Sequence, residues 1–270
     1  MTFIKSKTGI AVVALIAVFA FLYFFTGVFG DTRISLTLNT NPDLERGLVG
    51  HWTFDGPDVD IGSSTAEVKD RSVNNYTGDW LNHATTTVPG IIGQAIDFDG
   101  SNDYVRINNI FYVTTGYSIA MWVKGASQND DDICSGAQDS ILYSEIHSGG
   151  IAPVLKLVPV GDNVGFCYKD DNAVTSAAKT LQVAIDDSWH HIVWTDLNGT
   201  AFMYIDGVQD SVDFSYTPGP MDDIDFTNSG IGGRENPNVG GNFDGSIDDV
   251  RVYNRVLSAE EILRLYQLGN

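Results

Sequence analysis

Two adjacent carboxylates near the end of the chain, Asp248 and Asp249, lie inside a run of residues that favours a β-strand. Neighbouring residues on a strand point to opposite faces, so only one of the two would face any given ligand. Ca²⁺ in proteins collects about 6–8 oxygen ligands, many of them from carboxylates. Turn capping, or hydrogen bonds from the nearby Arg251 or Arg255, would explain the pair, and carboxylates of this kind could also take part in a cation site.

Carboxylates that could support glycoside hydrolysis are few. The reaction normally needs two carboxylates that face each other across the sugar, one of them able to stay protonated. Glu145 is the one glutamate in a predicted central strand, and Asp139 lies six positions before it on the same face. A single strand carboxylate is more typical of a solvated sheet face, so the sequence favours a protein that is not an enzyme.

The run Trp189-His190-His191 could suggest a catalytic base or a metal ligand. The two imidazoles cannot bind one ion together, because adjacent strand residues project to opposite faces. The sequence has no Ser-His-Asp order, no phosphate-binding glycine loop and no Cys/His zinc spacing. The run therefore favours packing over catalysis.

Aromatic side chains are further candidates for ligand contact, because a ring has a large apolar face that can stack on a sugar. Trp52, Trp122 and Trp194 lie on predicted strands and are expected in the core. Five others are expected to reach a sheet face or a loop: Trp80, Tyr112, Tyr143, Tyr168 and Tyr216. All of them except Tyr112 are candidates for contact with a ligand, and ordinary packing is the alternative.

The composition bounds the class of fold and the class of partner. The chain has 270 residues, 43% of them hydrophobic, with 28 glycines against 8 prolines, a profile typical of an all-β domain with many turns. The formal net charge is −20, from 35 acidic and 15 basic residues. Such a surface repels nucleic acid and anionic lipid, and it suits cations, neutral glycans or basic partners. Taken alone, the charge is explained by solubility more readily than by a specific cation role.

The beginning of the chain has the pattern of a membrane segment. Lys5 and Lys7 precede an uncharged stretch from Gly9 to Gly30 that is almost wholly apolar between residues 10 and 25. About 20 apolar residues span a bilayer as a helix, and the positive-inside bias would place the lysines in the cytoplasm. We therefore expect a retained signal anchor over residues 1–30, a linker over residues 31–46 and an extracytoplasmic domain over residues 47–270.

Two other interpretations of this segment stay open. A signal peptide could be cleaved near Gly30, or a pilin-like leader could be cut after Gly9, although Ala14 stands where bacterial pilins usually carry an acidic residue. All three interpretations export the rest of the chain to a compartment where disulfides persist. We therefore expect Cys134 and Cys167 to be bridged, with two free, buried thiols as the alternative.

The elements that would position these residues are short and mostly extended. More than ten short apolar runs are separated by turn signals such as Asn198-Gly199, a pattern that predicts an antiparallel β-sandwich. Near the end of the chain, Ser258 and Glu261 have the spacing of a capping box, and apolar residues then recur at helical spacing. We expect one short amphipathic helix after the last strand.

Six segments, in this order, resemble a LamG-like jelly roll of the concanavalin A-like lectin/glucanase superfamily. They are Gly47–Gly56 (GLVGHWTFDG), Gly93–Val105 (GQAIDFDGSNDYV), Tyr117–Val123 (YSIAMWV), Trp189–Trp194 (WHHIVW), Tyr204–Gly207 (YIDG) and Phe243–Ser258 (FDGSIDDVRVYNRVLS). The resemblance covers roughly residues 47–268. It implies two curved antiparallel sheets packed face to face, with the chain ends meeting near one edge, and a ligand bound by loops or by the concave sheet.

The resemblance also implies a structural calcium ion that ties the first strand to the last. The positions that match the family's ligands are Asp55, the carbonyl of Gly100, and Asp248, with Asp249 and Asp70 as further candidates. Asp248 is the closer match of the adjacent pair, because it holds the same place before the Val-Arg-Val-Tyr run.

Hydrolases of this superfamily carry a Glu-x-Asp-x-(x)-Glu cluster on one strand, and this sequence has none. We therefore expect a non-enzymatic, membrane-tethered module at the cell surface that binds a glycan or an extracellular protein and is stabilised by Ca²⁺. The alternatives are a remote glycoside hydrolase and a structural subunit of a surface filament.

Overall fold

The computed structural model describes residues 43–62, 66–82, 87–108, 116–128, 133–134, 140–146, 153–169, 175–217, 228–234 and 241–270. The predicted signal anchor, most of the predicted linker, Tyr112 and Asp139 lie outside these ranges. The chain divides into two units, Met1–Asn41 and Pro42–Asn270, and the described residues all belong to the second. Over the described ranges, no helix is long and apolar enough to cross a membrane.

Two antiparallel β-sheets and one short C-terminal helix form the described unit, which confirms the predicted all-β sandwich. The strands are β1 (Leu48–Trp52), β2 (Val59–Asp60), β3 (Ala66–Val68), β4 (Gly78–Leu81), β5 (Val88–Pro89), β6 (Gln94–Asp99), β7 (Tyr104–Asn108), β8 (Tyr117–Lys124), β9 (Tyr143–Ile146), β10 (Pro153–Val160), β11 (Asn163–Lys169), β12 (Thr175–Lys179), β13 (His190–Leu197), β14 (Thr200–Ile205), β15 (Val208–Gln209), β16 (Asn228–Ile231) and β17 (Asp244–Tyr253). A 3₁₀ turn covers Gly56–Asp58, and the helix α1 covers Ala259–Leu268.

The smaller sheet has the strand order β15-β14-β13-β8-β17-β6-β5, and β1 also pairs with β17. The last strand is long enough to hold two partners in succession. Its first part, Asp244–Ile247, pairs with β6, and its second part, Val250–Tyr253, pairs with β1. The register of β17 with β8 shifts between Asp248 and Arg251. The strand therefore changes partner at the adjacent carboxylates.

The larger sheet has the strand order β12-β11-β10-β9-β16-β7-β4-β3-β2. Alternation along its strands separates a core face from an outer face. On β4 and β7, Trp80 and Val105 are buried between the sheets, while Asp79 and Arg106 point outward and form an ion pair. The sandwich core lies between the inward-facing residues of both sheets.

The helix α1 covers the outer face of the smaller sheet. Ser258 and Glu261 form the predicted capping box at its start, and the ring of Tyr266 stacks on Trp122 with 5.6 Å between the centroids. The three tryptophans expected in the interior are all buried, but only Trp52 and Trp194 belong to the core between the sheets. Trp122 is buried on the other face of its sheet, beneath the helix.

Cys134 and Cys167 form a disulfide, with 5.5 Å between their Cα atoms, which confirms the predicted bridge. Cys167 lies on β11, on the face opposite to its inward-facing neighbours Phe166 and Tyr168. Next to Cys134, Ile133 packs on a small apolar cluster of Ile141, Val158 and Val160. The bridge therefore fixes residues 133–134 on the outer face of the larger sheet.

Candidate functional site

Asp248 and Asp249 lie at the bulge where β17 changes from pairing with β6 to pairing with β1. Asp249 has a left-handed backbone conformation, with a φ of 48°, and such a residue interrupts the regular alternation of a strand. Both carboxylates are buried, and they have different partners. The adjacent pair therefore makes two separate sets of contacts.

Asp248 holds the loop between β5 and β6. Its Oδ2 accepts hydrogen bonds from the N–H groups of Ile91 and Ile92, at 2.9 and 2.8 Å. Its Oδ1 is buried and accepts no hydrogen bond from the described part of the chain. Burial, followed by the charge of Asp249, raises the pKa of Asp248 to about 7. Asp248 thus keeps one oxygen free for a further ligand.

Asp249 is held by two basic side chains. Its Oδ1 lies 2.6 Å from Nε2 of His51, and Arg251 donates from Nε to Oδ2 at 3.0 Å and from Nη2 to Oδ1 at 3.1 Å. Burial alone would raise the pKa of Asp249, but the contacts with His51 and Arg251 outweigh it and lower this pKa to about 2. These contacts fit the hydrogen-bond alternative rather than a metal ligand at this position.

Asp55 approaches the same loop from the segment that follows β1. Its Oδ1 accepts a hydrogen bond from the N–H of Gln94 at 2.8 Å. The carboxylate packs against Gly93, which has a φ of 77° and where a Cβ atom would collide with it. Asp55 and Asp248 therefore converge on the backbone of residues 90–94, so this loop links the start of the domain to its last strand.

Gly100 does not join this group. Its N–H donates to the carbonyl of Phe243, and the preceding residue, Asp99, pairs with Asp244. Asp244 lies four residues before Asp248, or about 13 Å along an extended strand. The ligands of one Ca²⁺ each lie about 2.3–2.6 Å from the ion. Gly100 and Asp248 are thus too far apart to share an ion, which corrects the expectation for Gly100.

Asp70 organises the loop of residues 70–76 instead of facing the other aspartates. Its Oδ1 accepts hydrogen bonds from the N–H groups of His51 and Ser72, at 2.8 and 2.7 Å. Its Oδ2 accepts from Oγ of Ser72 and from the N–H of Tyr76, both at 2.7 Å. Both oxygens are therefore occupied by this loop and by β1.

The residues around the 90–94 loop fit a calcium ion in part. Asp248 supplies a buried oxygen without a hydrogen-bond partner among the described residues, and Asp55 adds a second carboxylate at the same loop. In the described ranges, no three His, Cys, Asp or Glu side chains lie close enough to hold a metal ion together. Backbone and water oxygens would have to complete a shell of about 6–8 ligands. Asp248 and Asp55 are the two predicted ligands that the fold brings together.

The structure corrects the expectation for three of the four aromatic candidates. Trp80, Tyr143 and Tyr168 are buried in the core between the sheets, because each occupies an inward position of its strand. Tyr216 is half-buried, with its ring centroid 4.1 Å from that of Tyr168, and its hydroxyl donates to Oδ2 of Asp196 at 2.6 Å. No sugar can stack on the three buried rings.

Glu145 lies on the inward face of β9 and is only 1% exposed. Its Oε1 accepts hydrogen bonds from the hydroxyl of Tyr143 at 2.5 Å and from Oγ of Ser229 at 2.6 Å. A hydrolytic carboxylate must reach the sugar, so this residue cannot act as one in the described conformation.

His190 and His191 have opposite surroundings, as their adjacent strand positions predict. His190 lies between two carboxylates, with Nδ1 2.8 Å from Oδ2 of Asp206 and Nε2 3.1 Å from Oδ1 of Asp186. His191 is buried beside Trp122, and burial lowers the pKa of His191 to about 4. Only His191 is packed as expected, whereas His190 joins two surface segments.

A row of mostly polar residues, interrupted by one glycine, lies on the outer face of the larger sheet and was not found from the sequence. Strand pairing places these residues side by side on neighbouring strands, in the order Asp60, Glu67, Asp79, Arg106, Gly230, Ser144 and Lys156. Alternation along β4 could have placed Asp79 on the face opposite to Trp80, but not which of the two faces is the outer one. The register that aligns the row depends on strand pairing, which the sequence does not reveal.

Solved structures with similar folds include two toxin binding domains and one domain of an arabinanase. The binding domain of Paraclostridial Mosquitocidal Protein 1 is 17% identical, with a TM-score of 0.60, over 82% of this chain and 52% of that one. Domain 4 of AbnA, a GH43 extracellular arabinanase from Geobacillus stearothermophilus, solved in complex with arabinotriose, is 19% identical, with a TM-score of 0.60, over 82% and 98%. The botulinum neurotoxin serotype G binding domain is 18% identical, with a TM-score of 0.57, over 82% and 51%.

At these identities the similarity shows the fold alone, and the chain spans about half the length of the two toxin binding domains. No curated protein matches the sequence. The family model Laminin_G_3 matches residues 99–263, which is more than half of the chain. The chain therefore belongs to the Laminin_G_3 family of the concanavalin A-like lectin/glucanases superfamily.

Proposed function

We propose that the protein is a non-enzymatic binding module outside the cytoplasm, with a glycan or an extracellular protein as its ligand. Support comes from its solved neighbours, which include two toxin binding domains and an arabinanase domain in complex with arabinotriose. The burial of Glu145 argues against a hydrolase, since the described central strands then offer no accessible glutamate.

The exposed part of the polar row is the observation that carries the proposal. Asp60 and Glu67 are exposed, and the side chains of Asp79 and Arg106 are 41% and 30% exposed, with 3.0 Å between Oδ2 and Nη2. Side chains on adjacent strands have fixed positions, and a few fixed polar groups are what orient a ligand in a binding site. The row thus offers carboxylates and a guanidinium to a hydroxyl-rich or basic ligand.

Calcium has a structural role in this proposal. An ion at the loop of residues 90–94 would be held by Asp248 and Asp55, and it would offset the charge of the buried Asp248 carboxylate. It would strengthen the link between the first and last strands, away from the polar row on the other sheet.

Tethering completes the proposal. Residues 1–30 anchor the chain in the membrane with the N-terminus in the cytoplasm, and residues 31–46 lead to the exported domain. The support is the pattern of two lysines followed by a long uncharged, apolar stretch.

A glycan-array screen of purified residues 31–270 tests the function, with titration calorimetry on each glycan that is retained. We expect micromolar binding that falls at least tenfold in the double variant Asp79→Ala/Arg106→Ala. Glu260→Ala, an exposed carboxylate of α1 on the other side of the sandwich, is the matched control and should bind like the unmodified protein. Turnover of a glycan, or equal affinity in all three proteins, would contradict the proposal.

A further inference from the structure

Two segments of the sequence have the pattern of an acceptor for asparagine-linked glycans. They are Asn75-Tyr76-Thr77 and Asn198-Gly199-Thr200, and no other asparagine in the sequence is followed two positions later by serine or threonine. The pattern Asn-x-Ser/Thr marks a glycan acceptor where it lies on the surface of an exported protein.

Both asparagines lie on the surface, at turns. Asn75 and Asn198 are exposed and have left-handed backbone conformations, with φ of 58° and 51°. Neither side-chain amide forms a hydrogen bond with the described residues, whereas the neighbouring Asn74 donates from Nδ2 to the carbonyl of Val49 at 3.0 Å. Both acceptor amides are therefore available to an enzyme without disturbing an internal contact.

The segments around the two asparagines are held firmly by their neighbours. The carbonyl of Tyr76 accepts a hydrogen bond from Nε1 of the buried Trp52 at 2.9 Å. At the second site, the N–H of Gly199 donates to Oδ1 of Asp196 at 2.8 Å. The backbone beside each asparagine is therefore held in place while the asparagine itself is exposed, so a large substituent there displaces no packed side chain.

We infer that Asn75 and Asn198 are attachment sites for N-linked glycans. The donor is an oligosaccharide carried on a lipid pyrophosphate, and a transferase at the outer membrane face catalyses the step. The amide Nδ2 forms a bond to the anomeric carbon of the sugar, while the bond from that carbon to the pyrophosphate oxygen breaks. The lipid pyrophosphate leaves with the electron pair, and Nδ2 loses one proton to the solvent. The inference rests on the export of the domain, as in the proposed function.

Peptide mass mapping of the full-length chain, isolated from its own cells, tests this inference. We expect the peptides that contain Asn75 and Asn198 to carry the mass of a glycan. Thr77→Ala should remove it from the first site only and Thr200→Ala from the second only, because the hydroxyl two positions on is part of the acceptor pattern. Thr200→Ser should keep it. These substitutions spare both left-handed positions, and Asn102→Gln, an exposed asparagine outside the pattern, is the matched control.

Unmodified masses at both sites would overturn the inference. Protease treatment of intact cells shows in the same sample whether the domain is exported, and a protected, unmodified domain would overturn the export step as well. Binding of unmodified residues 31–270 to the glycan array is measured separately. Failure of the glycosylation inference and failure of the binding proposal are therefore distinguishable.

Discussion

The imidazole of His51 and the carboxylate of Asp249 lie 2.6 Å apart and join the first strand of the domain to the last. Arg251 completes the group with two hydrogen bonds to the same carboxylate, and it is almost fully buried. Because a buried ion that loses its partner keeps the full penalty of desolvation, the three residues depend strongly on one another.

Replacement of Asp249 should therefore destabilise the fold strongly. Asp249→Asn removes the charge that compensates Arg251 and should lower the free energy of unfolding by about 3–5 kcal/mol, as measured by urea denaturation. Asp79→Asn, which alters a half-exposed ion pair, is the control and should lower it by about 1 kcal/mol or less. Similar losses in both variants would show that burial does not govern the Asp249 contacts.

Asp248 should behave differently, through calcium. Thermal melts of residues 31–270 with calcium and with a chelator should differ, since an ion that binds only the folded state adds about 2.7 kcal/mol at 100 times its dissociation constant. Asp248→Asn should abolish this response. Asp97→Asn, an exposed residue bonded to Ser246, should keep it. A response that survives in Asp248→Asn would remove Asp248 from the site.

The sequence was sufficient for the β-sandwich and its C-terminal helix because their signals are local. The capping box of Ser258 and Glu261 and the hairpin turn at Asn198-Gly199 each depend on neighbouring residues. The same holds for the alternation that identifies strands. Prediction of the bridge between Cys134 and Cys167 needed a further argument, namely that export takes the domain to a compartment where disulfides persist.

The site was predicted less well because it depends on which strands meet. The adjacent Asp248 and Asp249 gave the right location, but their separate roles come from the change of partner within β17. The prediction of Gly100 as a ligand was wrong because its turn lies beside Asp244, which precedes Asp248 on β17 and is too far from it. The prediction that Trp80 lies at the surface was wrong because the positions of aromatic residues in the sequence do not tell which face of a strand is inside.

Trp80 and Asp79 are neighbours on β4 with opposite faces, and they should separate stability from binding. Trp80→Ala removes a fully buried ring and should lower the free energy of unfolding by about 3–5 kcal/mol. Asp79→Ala should leave stability within about 1 kcal/mol and weaken ligand binding. Denaturation and calorimetry on both variants test this, and an unstable Asp79→Ala would contradict the assignment of faces.

His190 should make stability depend on pH. Only the imidazolium form has two N–H groups, one for Asp206 and one for Asp186, and the contact with Asp206 is the main cause that raises the pKa of His190. A pKa raised in the folded state means that the stabilisation is complete below the unfolded value of about 6.5 and is lost as the pH rises through the folded value.

Melting curves of the unmodified protein and of His190→Gln should therefore differ most near pH 5.5 and least near pH 9. At the lower pH the difference should be about 1.5 kcal/mol, at the low end for hydrogen bonds to charged groups. His191 contributes a pH dependence of stability with the opposite sign, because burial lowers its folded pKa to about 4. This contribution is the same in the unmodified protein and in His190→Gln. A difference that is constant with pH would contradict the ion-pair role of His190.

The disulfide should stabilise the domain mainly through the unfolded chain. Cys134 and Cys167 are 33 residues apart in the sequence, and closing a loop of this length contributes about 3–4 kcal/mol on the chain-entropy model. The double variant Cys134→Ser/Cys167→Ser should therefore lose about that much in denaturation experiments under oxidising conditions. Under reducing conditions the unmodified protein should match the variant. An unchanged free energy of unfolding would show that the packing of Ile133 on Val158 and Val160 holds this segment without the bridge.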